Sequence, residues 1–430
     1  MGNGEFLKKI IEKLFQLIIS QEYLEESRTE AKYFTRNRTL PFPQLLGVIL
    51  DNAKCGIKTN LEQFFAKMEM NHMVYSSQAF SKQRQYIKPT AILSLVRYIA
   101  QSLYEDADYK TWSDYLLLAI DGTRCNLPCT SKTEEFFGAQ ETAGEPQVQA
   151  LCSCLYDVLN NMIVDASINP CTSNERHLAV AHLDSLRKIK TPGKGSVVLF
   201  DRGYPSAYLI DELEKRNLKY IMRFSSGFLP LDQYQGKDCI VNHRFSKKKT
   251  PTNFRILNFN VNGTKEHLIT NLFDPEITVD DFQQLYHQRW GIETAYRTLK
   301  STMEIENFSG TLPVAISQDF YATLFCYNLM SVAEFEMQDE FNAMHNNRDN
   351  KLQYKQNRKR VIDALKPRVV KMLLMPEYLA GLELAMISAE IMKSVSAVRH
   401  GRSFQRKKNM LLLNFFLRIN ALPLKLMTLP

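Results

Sequence analysis

The chain has 430 residues, of which 45% are hydrophobic and 23% are charged. These values are ordinary for a globular protein with a sizeable core and several domains, and they exclude a fibrous or low-complexity chain. The 54 Lys and Arg exceed the 46 Asp and Glu, a mild excess that is compatible with a polyanionic partner. No apolar run reaches the ~18 residues of a membrane span, so we expect no membrane partner. The eight cysteines lack paired CxxC spacing, which disfavours a zinc site and favours reduced thiols.

The N-terminal hundred residues predict short helices with turns between them. Their apolar periodicity and their Ser and Pro start signals place these helices at about 5–19, 43–53, 61–70, 76–86 and 89–104. We therefore predict a helical N-terminal region with weak helix-turn-helix character. Its candidate phosphate contacts are Arg36, Lys82, Arg84 and Lys88, each with ordinary surface exposure as the alternative.

A different pattern begins at Tyr115. The apolar run 115–120 predicts a buried strand whose exit carries Asp121-Gly122-Thr123, followed by a polar loop. Two more strands, 148–156 and 162–168, are predicted to be joined by an Asn160-Asn161 hairpin turn, and a helix follows from about Ser173 to Lys188. The run 196–200 predicts another strand, which ends at Asp201. Strands and helices in this order indicate an α/β domain around a mixed sheet.

The segment from about 218 to 272 predicts four short strands and contains the basic run 247–249, which indicates a β-rich insertion. Helical periodicity resumes at Thr278, and a long apolar helix is predicted at about 314–335. The C-terminal region is predicted to be helical, with a basic cluster between residues 399 and 408.

The stretch 286–300 predicts one amphipathic helix with two stripes. Leu285, Ile292, Ala295, Leu299 and Met303 recur at helical spacing and form an apolar stripe. A second stripe consists of Tyr286, Arg289, Glu293 and Lys300, because steps of three, four and seven return to nearly the same angle at about 100° per residue. The alternative to a functional role is a solvated face with an Arg289–Glu293 ion pair.

Two strand-end carboxylates, Asp121 and Asp201, and one helical carboxylate, Glu293, form the candidate site. Three acids in one place repel each other unless a divalent cation neutralises them, and oxygen ligands suit Mg²⁺ or Mn²⁺. Two such ions activate a water or a 3′-hydroxyl and stabilise the departing oxygen of a phosphodiester. The alternatives are a turn for Asp121-Gly122 and a helix cap for Asp201.

These motifs resemble those of the DDE transposases of bacterial insertion sequences. The chain is similar to the branch whose signature is Tyr, two residues, Arg, three residues, Glu, six residues, Lys. Further similar features are 34–36, 40–42, 121–123, 155–157, 175–176, 201–204 and 305–310. The resemblance covers roughly residues 30–340.

The resemblance implies an α/β fold with a ribonuclease-H-like catalytic core, interrupted by a β-rich insertion and flanked by helical N- and C-terminal regions. It implies Asp121, Asp201 and Glu293 as catalytic residues and as ligands of Mg²⁺, with Mn²⁺ as a substitute. The implied DNA-contact residues are Tyr286, Arg289, Lys300, Arg202 and Arg297. The regions are a DNA-binding region at 1–112, the first core part at 113–217, the insertion at 218–277, the second core part at 278–345 and a basic helical region at 346–430.

The implied activity is cleavage of double-stranded DNA at the ends of a mobile element and joining of its 3′-hydroxyls to target DNA. A homodimer is expected in the synaptic complex, within the bacterial cytoplasm and at the nucleoid. Some relatives cut through a hairpin and hold an extruded base with an insertion Trp, which this insertion lacks. The candidates to replace it are Phe224, Phe228, Tyr234, Phe245 and Phe254, while Trp290 is expected to pack inside its helix. The alternatives are a transposase-derived DNA-binding protein without catalysis and a general nuclease of the same fold.

Overall fold

The computed structural model describes residues 4–36, 40–70, 73–142, 145–189, 193–230, 234, 236–245, 251–261, 263–345, 353–375, 382–393 and 395–398. Six helices come first: α1 (Glu5–Ile19), α2 (Gln21–Ser27), α3 (Phe42–Asp51), α4 (Ile57–Lys67), α5 (Ser77–Arg84) and α6 (Pro89–Asp106). The predicted helical N-terminal region is thus present. The predicted basic segments 247–249 and 399–408 lie outside the described residues.

The central part alternates strands and helices. Its elements are β1 (Tyr115–Asn126), α7 (Ser131–Phe137), β2 (Ala139–Thr142), β3 (Glu145–Asp157), β4 (Met162–Pro170), α8 (Glu175–Leu186), β5 (Gly195–Phe200), α9 (Ala207–Lys215), β6 (Lys219–Arg223), β7 (Asp238–His243), β8 (Thr252–Val261) and β9 (Thr264–Thr270). The last elements are α10 (Val279–Gln288), α11 (Trp290–Ser301), α12 (Pro313–His345), β10 (Tyr354–Gln356), α13 (Arg358–Leu365), α14 (Val369–Leu374), α15 (Leu382–Met392) and β11 (Val395–Ala397). The fold is mixed α/β.

Local capping explains several of the helix starts. The Ser76 hydroxyl accepts the Ala79 N–H at 3.1 Å, Asn174 accepts two N–H groups at the start of α8, and Thr278 forms a capping box with Asp281. By contrast, α4 begins at Ile57, about one turn before its predicted start, and its N-cap residue Gly56 supplies no side-chain hydrogen bond.

Nine strands form one sheet, in the order β2-β3-β1-β5-β6-β9-β8-β7, with β4 paired to β3. The β1 strand pairs in parallel with β5 from Tyr115↔Gly195 to Ala119↔Leu199, and antiparallel with β3. The β6 strand pairs in parallel with β5 and antiparallel with β9. The strands predicted as an insertion are therefore continuous with the central sheet, because the buried run Tyr220–Met222 at its start occupies a sheet position next to β5.

Two sequence-based predictions around β1 are wrong. Asp121-Gly122 is not the exit of the strand, because antiparallel pairing with β3 continues to Asn126↔Gln149. Parallel pairing with β5 ends at Ala119, so Asp121 lies where β1 loses one neighbour. The predicted polar loop after β1 contains α7, which a Thr130–Thr133 capping box starts, and the strand β2.

The predicted phosphate contact Arg84 is also wrong. Its side chain is 2% exposed, and its guanidinium donates to Asp319 at 2.7 Å, Gln318 at 2.8 Å and Ser309 at 2.8 Å. Arg84 is buried because its hydrogen-bond acceptors lie on α12 and in the segment before it. These contacts connect α5 to α12. Exposed Lys82 and Arg36 remain on the surface.

The long helix α12 is buried over most of its length and packs against α6, α3 and β4, while α8 packs against β3 and β4. Within the part of the chain that the structure describes, no helix has the length and apolarity to cross a bilayer. The single helix predicted at 286–300 consists of two helices, α10 and α11, which meet at Arg289. Its apolar stripe is buried as predicted.

Candidate active site

Asp121 is more buried than Glu293, whose side chain is 31% exposed. The Asp121 side chain is 19% exposed, and its Oδ1 accepts the Gly122 N–H at 2.9 Å. The pKa of Asp121 is raised from 3.8 to about 7, mainly by burial; the Gly122 N–H and the Arg289 cation lower it, and the negative charges of Asp201 and Glu293 raise it. The charges of Asp201 and Glu293 therefore influence Asp121, although the three acids come from β1, the residue after β5 and α11.

Asp201 directly follows the last residue of β5, as predicted. Its Oδ1 accepts the Gly203 N–H at 2.7 Å, and a Cβ on Gly203 would lie only 3.2 Å from that oxygen. Glycine at 203 therefore lets the backbone approach the carboxylate closely. The turn is also held from outside, because Arg176 donates to the carbonyl oxygens of Gly203 at 2.8 Å and Tyr204 at 3.0 Å.

Arg176 is a supporting residue to which sequence reasoning assigned no role. The sequence feature that could have indicated this role is the pair Glu175-Arg176, which directly follows the helix cap Asn174. A position at the start of α8 allows the long guanidinium to reach the turn after β5.

The Arg289 guanidinium connects two of the acids. Its Nη2 donates to Glu293 Oε1 at 2.8 Å, and its Nη1 lies 3.7 Å from Asp121 Oδ2. The side chain is 8% exposed and lies between the rings of Tyr286 and Trp290, with its Cζ 5.8 and 5.2 Å from their centroids. The ion pair given as the alternative to a functional role is present, and it is extended to Asp121.

The donor set at this site suits a hard divalent cation, because it consists of carboxylate oxygens. Among the described residues, no three His, Cys, Asp or Glu converge closely enough to hold a metal ion as they stand. Arg289 supplies the positive charge between Asp121 and Glu293 instead. Two buried polar atoms, Arg289 Nε and Tyr204 Oη, lack a hydrogen-bond partner here, so the site has unused capacity for a further polar ligand.

The other predicted DNA-contact residues differ in exposure. Tyr286 is 6% exposed, while Arg202 and Arg297 are exposed. Lys300 is about one third exposed; its Nζ donates to the Arg124 carbonyl and lies 3.6 Å from Glu306. Lys300 therefore anchors α11 to β1 in this structure.

A cavity of about 660 Å³ adjoins Arg289 on the side of the predicted insertion. It is lined by Arg223, Phe259, Val261, Glu266, Asp280, Gln283, Gln284, Tyr286, His287, Gln288, Arg289 and Trp290. Trp290 is the first residue of α11 and lies at the wall of this cavity, where its side chain is 48% exposed. The expectation that this side chain is packed is therefore wrong.

The insertion aromatics proposed to hold a base are mostly inaccessible. Phe224, Phe245 and Phe254 are at most 8% exposed, because they pack on one another and on Phe228. The aromatic of β8 that does line the cavity is Phe259, which sequence reasoning did not single out.

A buried Ser–His–Asp set lies behind β1 and does not form a second active site. His182 contacts Asp165 at 2.8 Å and Ser153 at 3.0 Å, and Arg97 pairs with Asp165. The three residues are at most 3% exposed, so a substrate cannot reach the serine. Their hydrogen bonds join α8, β3 and β4.

Comparisons with known proteins show which proteins this chain resembles. The chain is 24% identical over 323 residues to the transposase InsG of insertion sequence element IS4 from Escherichia coli (strain K12), covering 70% of this chain and 72% of InsG. A cryo-EM structure of the piggyBac transposase synaptic complex with hairpin DNA aligns with a TM-score of 0.46 and 13% identity, covering 93% of this chain and 88% of that one. The Transposase DDE domain family matches residues 112–329, just over half of the chain. The chain therefore belongs to the Transposase DDE domain family.

Proposed function

We propose that this transposase binds the terminal inverted repeats of an insertion sequence, cleaves DNA at the element ends and joins the 3′-hydroxyls to target DNA. The observation that carries the proposal is the Asp121–Arg289–Glu293 ion-pair set with Asp201 acting on the same carboxyl. Residues far apart in the chain are gathered there at considerable electrostatic cost, which is typical of functional sites.

The sheet supports a ribonuclease-H-like core. The strand order β4-β3-β1-β5-β6 places an antiparallel hairpin beside three mutually parallel strands. Asp121 lies on β1 two residues beyond the end of its parallel pairing with β5, and Asp201 directly follows β5. We propose the predicted region boundaries at residues 112, 277 and 345 on this basis. The boundary predicted at 217 places β6 in the insertion, but β6 pairs with β5, so we propose that the interruption before the Glu293 helix consists of β7–β9.

Asp121, Asp201 and Glu293 would hold Mg²⁺, or Mn²⁺ in its place. When bound, the ions would activate the attacking water or 3′-hydroxyl and stabilise the departing oxygen. In this proposal the chain's own acids keep those ions near β1 and β5. The Arg289 guanidinium neutralises Asp121 and Glu293 before loading.

The DNA backbone is proposed to cross the surface that carries Arg202, Arg297 and Lys300, with Tyr286 and Arg289 at its inner edge. Exposed cations suit phosphate contacts, which fix the register of DNA on a protein. The spacing of Tyr286, Arg289, Glu293 and Lys300 supports membership of the signature branch. Because two element ends must be held together, we propose a homodimer as the synaptic form.

The proposal is tested by replacing Asp121, Asp201 and Glu293 singly with alanine. Each variant is expected to lose Mg²⁺-dependent nicking of DNA that carries the cognate end, while binding of that end in EDTA is retained. Asp184→Ala is the matched control, because its carboxylate pairs with Arg216 on the surface and its loss leaves the site intact.

Full cleavage by any of the three alanine variants would refute the proposed site. Binding without nicking by the unaltered protein would indicate the catalytically inactive alternative. Nicking without end specificity or strand joining would indicate a general nuclease.

A further inference from the structure

Tyr296 forms a direct contact between the elements that carry two of the acids. It lies on α11, three residues after Glu293, and its hydroxyl donates a 2.7 Å hydrogen bond to the backbone carbonyl of Asp121. Residues three apart on a helix lie on neighbouring parts of one face. One hydrogen bond therefore joins the turn that carries Glu293 to the residue that carries the first acid.

The strand needs such a contact at this position. The parallel pairing of β1 with β5 ends at Ala119↔Leu199, whereas pairing with β3 continues through Asp121↔Cys154. Asp121 therefore lies in a part of β1 that has a strand neighbour on only one side. The hydrogen bond from Tyr296 gives Asp121 an additional contact, which comes from outside the sheet.

The Tyr296 hydroxyl is a buried hydrogen-bond donor. Tyr296 is 8% exposed, and its hydroxyl donates to a backbone carbonyl, which is an acceptor at every pH. Cys154, which is the register partner of Asp121 across β1 and β3, is likewise buried. The contact is thus part of a fixed, buried arrangement.

We propose that Tyr296 is a positioning residue, which sets the placement of Asp121 relative to Glu293 and thereby the affinity of the site for a divalent cation. This inference rests on the proposed function of the two acids as metal ligands. Mg²⁺ demands near-ideal octahedral geometry, so a small displacement of one carboxylate weakens binding. Loss of groups that orient metal ligands typically weakens metal binding by about 10- to 100-fold.

The chain offers a closely matched control for Tyr296→Phe. The Tyr23 hydroxyl donates to the Ala91 carbonyl at 2.8 Å, and Tyr23 is 3% exposed. Tyr23→Phe therefore removes the same kind of buried hydroxyl-to-carbonyl bond from a residue that does not contact the three candidate acids. A comparison of the two variants separates the loss of one hydrogen bond from an effect on the site.

The primary measurement is Mn²⁺ binding to the full chain without DNA, followed by the electron paramagnetic resonance of free Mn²⁺. The second is the Mg²⁺ concentration that gives half-maximal nicking. We expect Tyr296→Phe to weaken Mn²⁺ binding about 10-fold, to raise the Mg²⁺ requirement in parallel, and to recover nicking at saturating Mg²⁺. Tyr23→Phe should match the unaltered protein in both measurements.

Equal Mn²⁺ affinity of the two variants would overturn the inference, as would nicking by Tyr296→Phe that stays low at saturating Mg²⁺. Asp121→Ala distinguishes this failure from that of the proposed function. If Asp121→Ala binds Mn²⁺ as the unaltered protein does, the metal-ligand assignment itself fails. If Asp121→Ala loses Mn²⁺ and Tyr296→Phe does not, only the positioning role fails.

Discussion

Asp121→Asn should stabilise the metal-free protein at neutral and alkaline pH while it abolishes DNA cleavage. The carboxyl has a pKa of about 7, against an ordinary value of 3.8, mainly because it is buried. At 1.36 kcal/mol for each pH unit, this difference of about three units corresponds to about 4 kcal/mol that ionisation of Asp121 costs the folded state. Asparagine removes the charge and keeps an oxygen that accepts the Gly122 N–H.

The direction in which the free energy of unfolding changes with pH follows from proton binding. Between pH 3.8 and about 7 the folded state keeps the Asp121 proton more often than the unfolded state does, so the free energy of unfolding decreases as pH rises. This contribution is fully present below pH 3.8 and lost above about pH 7. The advantage of Asp121→Asn should therefore be about 2 to 4 kcal/mol at pH 8 and should shrink on acidification towards pH 4.

The assay is urea denaturation of both proteins in EDTA at pH 5, 6.5 and 8, with nicking measured in parallel in Mg²⁺. Added Mg²⁺ should raise the unfolding midpoint of the unaltered protein more than that of Asp121→Asn, because the ion compensates the carboxylate. A variant that is no more stable than the unaltered protein at pH 8, or whose advantage grows at pH 5, would refute the argument that a buried charge is poorly compensated there.

Two further predictions concern cations. Arg84→Ala leaves Asp319 buried without its ion-pair partner and should lower the free energy of unfolding by about 3 to 5 kcal/mol in chemical denaturation. The control is Lys82→Ala, which removes an exposed neighbour and should change this free energy by less than about 0.5 kcal/mol. An equal effect of both substitutions would contradict the importance of the buried ion pair. Lys300→Ala should weaken end binding and reduce the slope of log affinity against log salt by about one, measured by titration in increasing KCl, if one phosphate contact is lost. An unchanged slope would limit Lys300 to its contact with β1.

Several elements could be predicted because their signals are local. Ser76, Asn174 and Thr278 start helices through hydrogen bonds that span only two or three residues. Apolar runs predicted the strands β1 and β5, and the stripe of Leu285 and its helical neighbours predicted the buried face of α10 and α11. The extension of β1 beyond Asp121 was missed, because it depends on the length of the pairing with β3.

The sequence by itself determined the identity and order of the candidate acids, the helical regions and the α/β class, since residue type, periodicity and capping are properties of neighbouring residues. Only the tertiary structure decided which cations remain available for a ligand. Arg84 and Lys82 look alike in the chain, but Arg84 meets an aspartate 235 positions away and is buried by it. Likewise, the contacts of Arg289 and Tyr296 with Asp121 join elements that are distant in sequence, whereas the Arg289–Glu293 pair is local. The energy of such contacts depends on burial and on partners that folding brings together.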